Sequence, residues 1–209
     1  MKRYITIVLL FLSSYSFSQP KESALKKLYL ESGGGGTNYT GVLGSIGIQA
    51  IFKNGWASSF SYRSITMSPK NLPGDFAPGY LLLFIIPIPD NVPTLHMSMI
   101  SLTGGRCFGM GRKAWLTTEA GLSLTNGEEM SFTKQPVEYT FLYTSSNYST
   151  TKDTKSTIGA MFKADLNWAI LPWAGVGGGV FSNFSSMQSV LGYEVKLTLG
   201  WMNSRKKQQ

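Results

Sequence analysis

One histidine, His96, and one cysteine, Cys107, stand in 209 residues. The lone cysteine excludes an intramolecular disulfide and any cysteine-based metal centre, and the lone histidine excludes a site built on two imidazoles. No cofactor follows from these residue types. Charged residues make up only 14% of the chain, and none of them forms the basic helix or stripe that tracks a phosphate backbone, which argues against nucleic acid as a partner. No apolar run reaches the roughly 20 residues of a spanning helix. Nor is there a long Pro/Ser-rich linker or an abrupt shift of composition to divide the chain. Stability has to come from burial or from contact with lipid.

What is present begins with Met1-Lys2-Arg3, an apolar stretch from Tyr4 to Leu12, and small residues around Ser16-Phe17-Ser18. A charged segment, a short apolar segment and a small-x-small site form the pattern of a secretory signal peptide. The expectation is a cleaved leader over residues 1–18 and one domain over 19–209. Without Lys2 and Arg3 the mature chain carries 17 basic residues against 11 acidic.

The clearest periodic stretch is VLGYEVKLTLGW, residues 190–201. Leu191, Tyr193, Val195, Leu197, Leu199 and Trp201 alternate with Gly192, Glu194, Lys196, Thr198 and Gly200. Side chains of a strand point alternately to opposite faces, so one face is wholly apolar while the other holds a carboxylate and an ammonium. Thr157 to Ile170 repeats the pattern: Ile158, Ala160, Phe162, Ala164, Leu166 and Trp168 share one side, Lys163, Asp165 and Asn167 the other, with Met161 the apolar intruder. Weaker alternation marks Lys27–Gly33, Val42–Phe52, Trp56–Thr66, Thr94–Thr103, Ala114–Leu124 and Ala174–Phe184. The fold class is all-β.

The joints between these strands sort by length. Lys53–Gly55, Gly104–Lys113 and Leu171–Trp173 are short, and Asn54-Gly55 suits a type I′ turn. On the other side, Ser32–Thr40 and Ser185–Ser189 accompany two long connections, Ser68–Pro93 and Thr125–Lys155. Short turns at one end and long loops at the other characterise bacterial outer-membrane barrels. The prediction is a single antiparallel transmembrane β-barrel of eight strands in the outer membrane, with both termini periplasmic and the wall facing membrane lipid. Ten strands result if Gly79–Pro87 and Met130–Tyr143 also join the wall; the first of these lacks alternation and is read as a loop or a hairpin extension.

In such a barrel the polar faces converge on one axis, bringing together Glu31, Gln49, Arg63, Glu119, Lys163, Asp165, Glu194 and Lys196. An eight-stranded barrel is just wide enough for its side chains to fill. Unpaired buried charges cost several kcal/mol, so these groups are expected to pair and plug the bore. Trp56, Trp168, Trp173 and Trp201 fall at strand ends beside the short turns, where an aromatic girdle would meet the lipid headgroups.

The GVGGGV strand of residues 175–180 after LPW, together with the closing GYEVKLTLGW, resembles the small outer-membrane β-barrel domain family, related in architecture to the OmpA-type and OmpX-type barrels. The resemblance implies a location and a fold but no single activity. It also implies the barrel-assembly machinery as a partner during biogenesis, which reads a terminal aromatic residue; here Trp201 is followed by Met202 to Gln209.

One constellation carries possible chemistry. His96 and Ser98 share a strand face and Glu119 lies on the next strand, the roles of base, nucleophile and orienting carboxylate. The His-x-Ser spacing is similar to that of outer-membrane lipid A deacylases, although Met99 stands where that pattern has asparagine. A second alternative is a narrow channel along the charged axis. The leading expectation is a non-enzymatic barrel with a structural or adhesive role, binding an extracellular protein or glycan through its loops. Candidate contacts are Tyr80 and Phe84 in the apolar stretch Tyr80–Pro89, and Tyr139, Phe141 and Tyr143, whose alternation suggests that the Thr125–Lys155 hairpin projects as a ribbon.

Overall fold

The computed structural model describes residues 24–69, 71–83, 86–90, 93–139 and 143–202. The expected leader, Phe84 and Phe141 lie outside the described residues. Among the described residues eleven strands are formed: β1 (Leu25–Thr37), β2 (Gly41–Phe52), β3 (Trp56–Met67), β4 (Gly79–Leu83), β5 (Ile86–Asp90), β6 (Leu95–Gly109), β7 (Ala114–Lys134), β8 (Tyr143–Thr144), β9 (Tyr148–Ala169), β10 (Ala174–Ser185) and β11 (Val190–Trp201). Eight of them close into an antiparallel barrel in the order β1-β11-β10-β9-β7-β6-β3-β2, while β5-β4-β8 form a separate small sheet.

Closure has a definite slant. Arg106 on β6 pairs with Thr118, which pairs with Ala164, then Val180 and Tyr193. The same row continues through Gly36, Val42 and Thr66 and returns to β6 at His96. One circuit therefore climbs ten residues along β6, away from the end that holds the chain termini. Strands of such a barrel tilt by about 35–45°.

The alternation at 190–201 divides inside from outside. Leu191, Tyr193, Val195, Leu197 and Leu199 are exposed on the wall, whereas Glu194, Lys196 and Thr198 are buried in the bore. Leu28, Leu30, Ile46, Ile48, Phe60, Leu102, Leu122, Phe162 and Leu166 extend the apolar belt around the cylinder. This wall is the surface that a transmembrane barrel turns to hydrocarbon, and its closed sheet leaves no unpaired edge there.

The ten-strand alternative is not realised. Gly79–Leu83 pairs with Ile86–Asp90 and with Tyr143–Thr144, outside the wall. Four joints are also shorter than expected because their strands are longer: those after β1, β6, β7 and β10. The joints at the terminal end are 53–55, 110–113 and 170–173; those at the far end are 38–40, 68–94, 135–147 and 186–189. The glycine run Gly33–Gly36 belongs to β1 rather than to a loop. A Cβ at Gly35 would collide with the backbone carbonyl of Tyr193, so the bare backbone is what lets β1 and β11 close. The turn at 53–55 differs from type I′: Gly55 has φ +82 and Asn54 is not in the left-handed region. With Gly55 N–H bonding Phe52 C=O at 3.1 Å, this is a three-residue loop with glycine at the bulge position.

Candidate functional site

The bore is filled in three layers. Nearest the termini, Tyr29, Ile51, Ala57, Trp115, Ala169 and Met202 form an apolar layer. The Trp115 indole N–H donates to the Tyr29 hydroxyl at 3.1 Å, and Lys27 Nζ lies 3.1 Å from the centre of a Trp115 ring. Toward the far end, a second apolar layer gathers five buried methionines, Met67, Met97, Met99, Met130 and Met161, around Ile65 and Phe181. Unbranched thioether side chains suit the irregular taper of a barrel mouth.

Between them lies the charge layer. Lys196 Nζ is the hub, 2.9 Å from Glu31, 2.8 Å from Asp165 and 3.0 Å from Glu194. Arg63 reaches Glu194 at 2.9 Å. Lys163 lies 3.4 Å from both Asp165 and Glu119 and donates to Gln49 Oε1 at 3.0 Å. Glu119 in turn accepts from Gln49, Ser59 and Thr103 at 2.6, 2.9 and 2.6 Å. Four carboxylates and three cations thus join into one continuous network. Each charge is buried beside opposite charge, and Glu119 also accepts from the Ser59 and Thr103 hydroxyls; such pairing is what lets ions be tolerated in low dielectric. The Arg63 guanidinium also stacks 4.8 Å from the Phe181 ring, linking this layer to the methionine layer.

The trio with catalytic potential is not assembled. His96 lies exposed on the outer wall, with Nδ1 3.1 Å from Thr66 Oγ1, and Ser98 Oγ turns to the Asn126 carbonyl at 3.5 Å. Glu119 points into the bore on the other side of the sheet. Register separates them further, since Glu119 pairs with Gly105 and Ser98 pairs with Asn126. Trp56, Trp168, Trp173 and Trp201 all stand exposed at the terminal end of the wall.

At the far end, β7 and β9 remain paired past the wall, from Gly127/Lys155 to Lys134/Tyr148. This ribbon carries the ion pairs Lys152–Glu128 at 3.0 Å and Lys155–Glu129. Of the aromatic stretch, Tyr139 and Tyr143 are not part of it, contrary to the alternation. Tyr139 bridges to Thr144, and Tyr143 pairs with Leu81 in the small sheet. The segment 71–78 is fastened to the ribbon instead. Phe76 packs on Phe132 and Tyr148 with ring centres 6.2 and 6.3 Å apart, and Asp75 accepts from Tyr148 Oη at 2.7 Å and Lys134 Nζ at 3.1 Å. These bonds hold the Asp75 carboxyl below its ordinary range and raise both partners. Tyr139 and Tyr80 are left exposed on this crown, at 77% and 41%.

Sequence reading missed the methionine layer and the Trp115–Tyr29 pair. Met161 was visible as an intruder on the polar face, and Met97 and Met99 share its inward parity, which is the signal that could have found them.

No protein-family model matches the chain, and comparison with curated proteins finds no match. Solved structures do resemble it. A major outer membrane protein from Thermus thermophilus aligns with TM-score 0.57 at 10% identity, over 84% of this chain and 99% of that one. Ail, the attachment invasion locus protein of Yersinia pestis, aligns with TM-score 0.50 at 8% identity, over 85% and 99%. The N-terminal β-barrel domain of Pseudomonas aeruginosa OprF aligns with TM-score 0.50 at 10% identity, over 84% and 98%. With its eight-stranded closed sheet and apolar wall, the chain has the fold of the small outer-membrane β-barrels.

Proposed function

We propose that this chain is a non-enzymatic outer-membrane barrel whose bore is plugged and whose work is done by the crown at its far end. The observation that carries this reading is the bore itself, where seven buried charges form one network between two apolar layers. Moving an ion through it requires breaking pairs that each cost several kcal/mol to separate in a dry interior. Steady conductance is therefore absent, and the narrow-channel alternative has no path to use.

The termini face the periplasm in this reading, because the three joints beside them are turns of three or four residues and the extended segments 68–94 and 135–147 lie opposite. The four outward tryptophans then sit at the inner headgroup level. Assembly proceeds through the barrel-assembly machinery, with Trp201 as the closing aromatic residue. The crown has the makings of a binding surface: a small sheet latched to a projecting ribbon, with the Tyr80 and Tyr139 rings open to solvent. Such rings serve an extracellular protein or a glycan, by burying apolar area while keeping a polar tip wet. The Yersinia pestis barrel of like fold is named for attachment.

Cell fractionation with heat-modifiable gel mobility tests the location; planar-bilayer recording tests the plug. For the crown, cells bearing wild type or Tyr80→Ala/Tyr139→Ala are compared for attachment to host cells and immobilised glycans. Loss of attachment in the variant, with unchanged surface level, supports the reading, and equal attachment removes the crown from it.

A further inference from the structure

The outer wall is not uniformly studded with large side chains. On β6, β7 and β9 the neighbouring outward positions Gly104, Thr118, Ala120 and Ala164 are small, and they floor a furrow of about 490 Å³. Phe162 and Val180 border it, and Leu191 closes its far end. The furrow follows two adjacent pairing rows, Arg106-Thr118-Ala164-Val180 and Gly104-Ala120-Phe162-Ser182-Leu191. Because those rows climb around the barrel, it rises diagonally from the terminal end toward the middle of the wall.

Arg106 stands at the lower end. Its guanidinium lies 4.3 Å from the centre of the exposed Trp56 ring and donates through Nη1 to the Asn54 carbonyl at 3.3 Å. These contacts hold the charge at the level of the outward tryptophans, and the guanidinium has further N–H donors to offer. A cation at headgroup depth above an apolar furrow at acyl-chain depth matches one ligand in polarity and order.

We propose that this furrow is a binding site for a phospholipid with an anionic headgroup, its phosphate held by Arg106 and one acyl chain lying over Gly104, Ala120 and Ala164. The inference rests on the membrane reading and on the termini facing the periplasm, which puts the site in the inner leaflet. Hydrophobic transfer does not drive such binding, since the chain already lies in hydrocarbon. Fit against the small residues and the charge-assisted bonds of an arginine to phosphate supply the preference.

The test uses the full chain reconstituted in phosphatidylcholine vesicles with trace spin-labelled lipid, reading the motionally restricted fraction by electron paramagnetic resonance. Vesicle flotation and heat-modifiable mobility establish insertion first, and failure there overturns the membrane reading as well as the site. With the barrel inserted, labelled phosphatidylglycerol is expected to be restricted about fivefold more than labelled phosphatidylcholine, the size of effect one basic side chain gives toward anionic lipid. Arg106→Gln removes the preference. Gly104→Leu fills the furrow and lowers the restricted fraction; a Cβ there meets nothing closer than Ala57 O at 3.8 Å, so the wall accommodates it. Arg112→Gln, on the turn 110–113, leaves the preference intact. Equal restriction of both lipids in the wild type, an unchanged preference in Arg106→Gln or an unchanged restricted fraction in Gly104→Leu, or an equal loss in Arg112→Gln, which would mark diffuse attraction, overturns the site.

Discussion

Lys196 lies within 3.0 Å of three carboxylates, and the nearest is Asp165 at 2.8 Å, carried two strands away on β9. That pair ties β11 across β10 to β9 through the bore, and Glu31 extends the tie to β1 on the other side. Replacing Lys196 by Met leaves Glu31, Asp165 and Glu194 facing one another in a dry interior. A loss of about 3–5 kcal/mol is expected, read as a lower urea midpoint for unfolding from detergent micelles. Adding Glu31→Gln to that variant should recover part of the loss, and a midpoint equal to wild type in the single variant contradicts the hub.

The terminal apolar layer depends on Trp115. Trp115→Ala should cost roughly 3–5 kcal/mol, the range for deleting a large buried aromatic. Tyr29→Phe keeps the ring and removes only the hydrogen bond, so about 1 kcal/mol is expected. Neither variant opens a conducting path, because the charge layer lies beyond; steady current through Trp115→Ala would mean that the layer does not seal.

Strand closure at Gly35 is a matter of space. Gly35→Val drives side-chain atoms into the Tyr193 carbonyl, and relief requires parting β1 from β11. The variant should fail to acquire heat-modifiable mobility, whereas Gly44→Val, where nothing lies within 4 Å of the added carbon, should acquire it normally.

The crown latch has a pH window. Asp75 titrates below the ordinary carboxylate value, so its contribution is present above about pH 4 and fades as pH falls through its lowered value. Lys134 and Tyr148 titrate above their ordinary values near 10, so theirs is present below about pH 10 and fades as pH rises through the raised values. The Ala77 amide, which donates to the Asn147 side chain beside Asp75, reports the latch by NMR. Its shift should be flat from about pH 5 to 9, with an acid midpoint below that of a free aspartate and no acid step in Asp75→Asn.

Ser98→Ala should leave the acylation of co-expressed lipid A unchanged, because His96 and Glu119 are on opposite faces of the sheet. A change in lipid A mass on that substitution would require a rearrangement of the wall.

Residues 190–201 and 157–170 were legible because a side chain between lipid and an ionic bore has two incompatible surroundings, and alternation is the only pattern that satisfies both. That reason ends where the wall ends. Past Gly127 and Lys155 the ribbon runs beyond the paired wall, nearly all of β9 there is exposed Ser, Thr, Lys and Asp, and the period of two fades although the strands continue. The alternation of Val137–Tyr143 misled because Tyr139 and Tyr143 bond within the crown, Tyr139 to Thr144 and Tyr143 to Leu81, and not along the ribbon.

By itself the sequence determined which faces are apolar and which charges share the axis, both consequences of local parity, and it left eight and ten strands open. Only the tertiary structure decided the ten-residue climb of the pairing, the partners of each charge, the separation of His96 from Glu119 and the latching of Asp75 to the ribbon. Those depend on which strands become neighbours and in what register, and register is set by closure of the whole cylinder, which no single stretch of chain encodes.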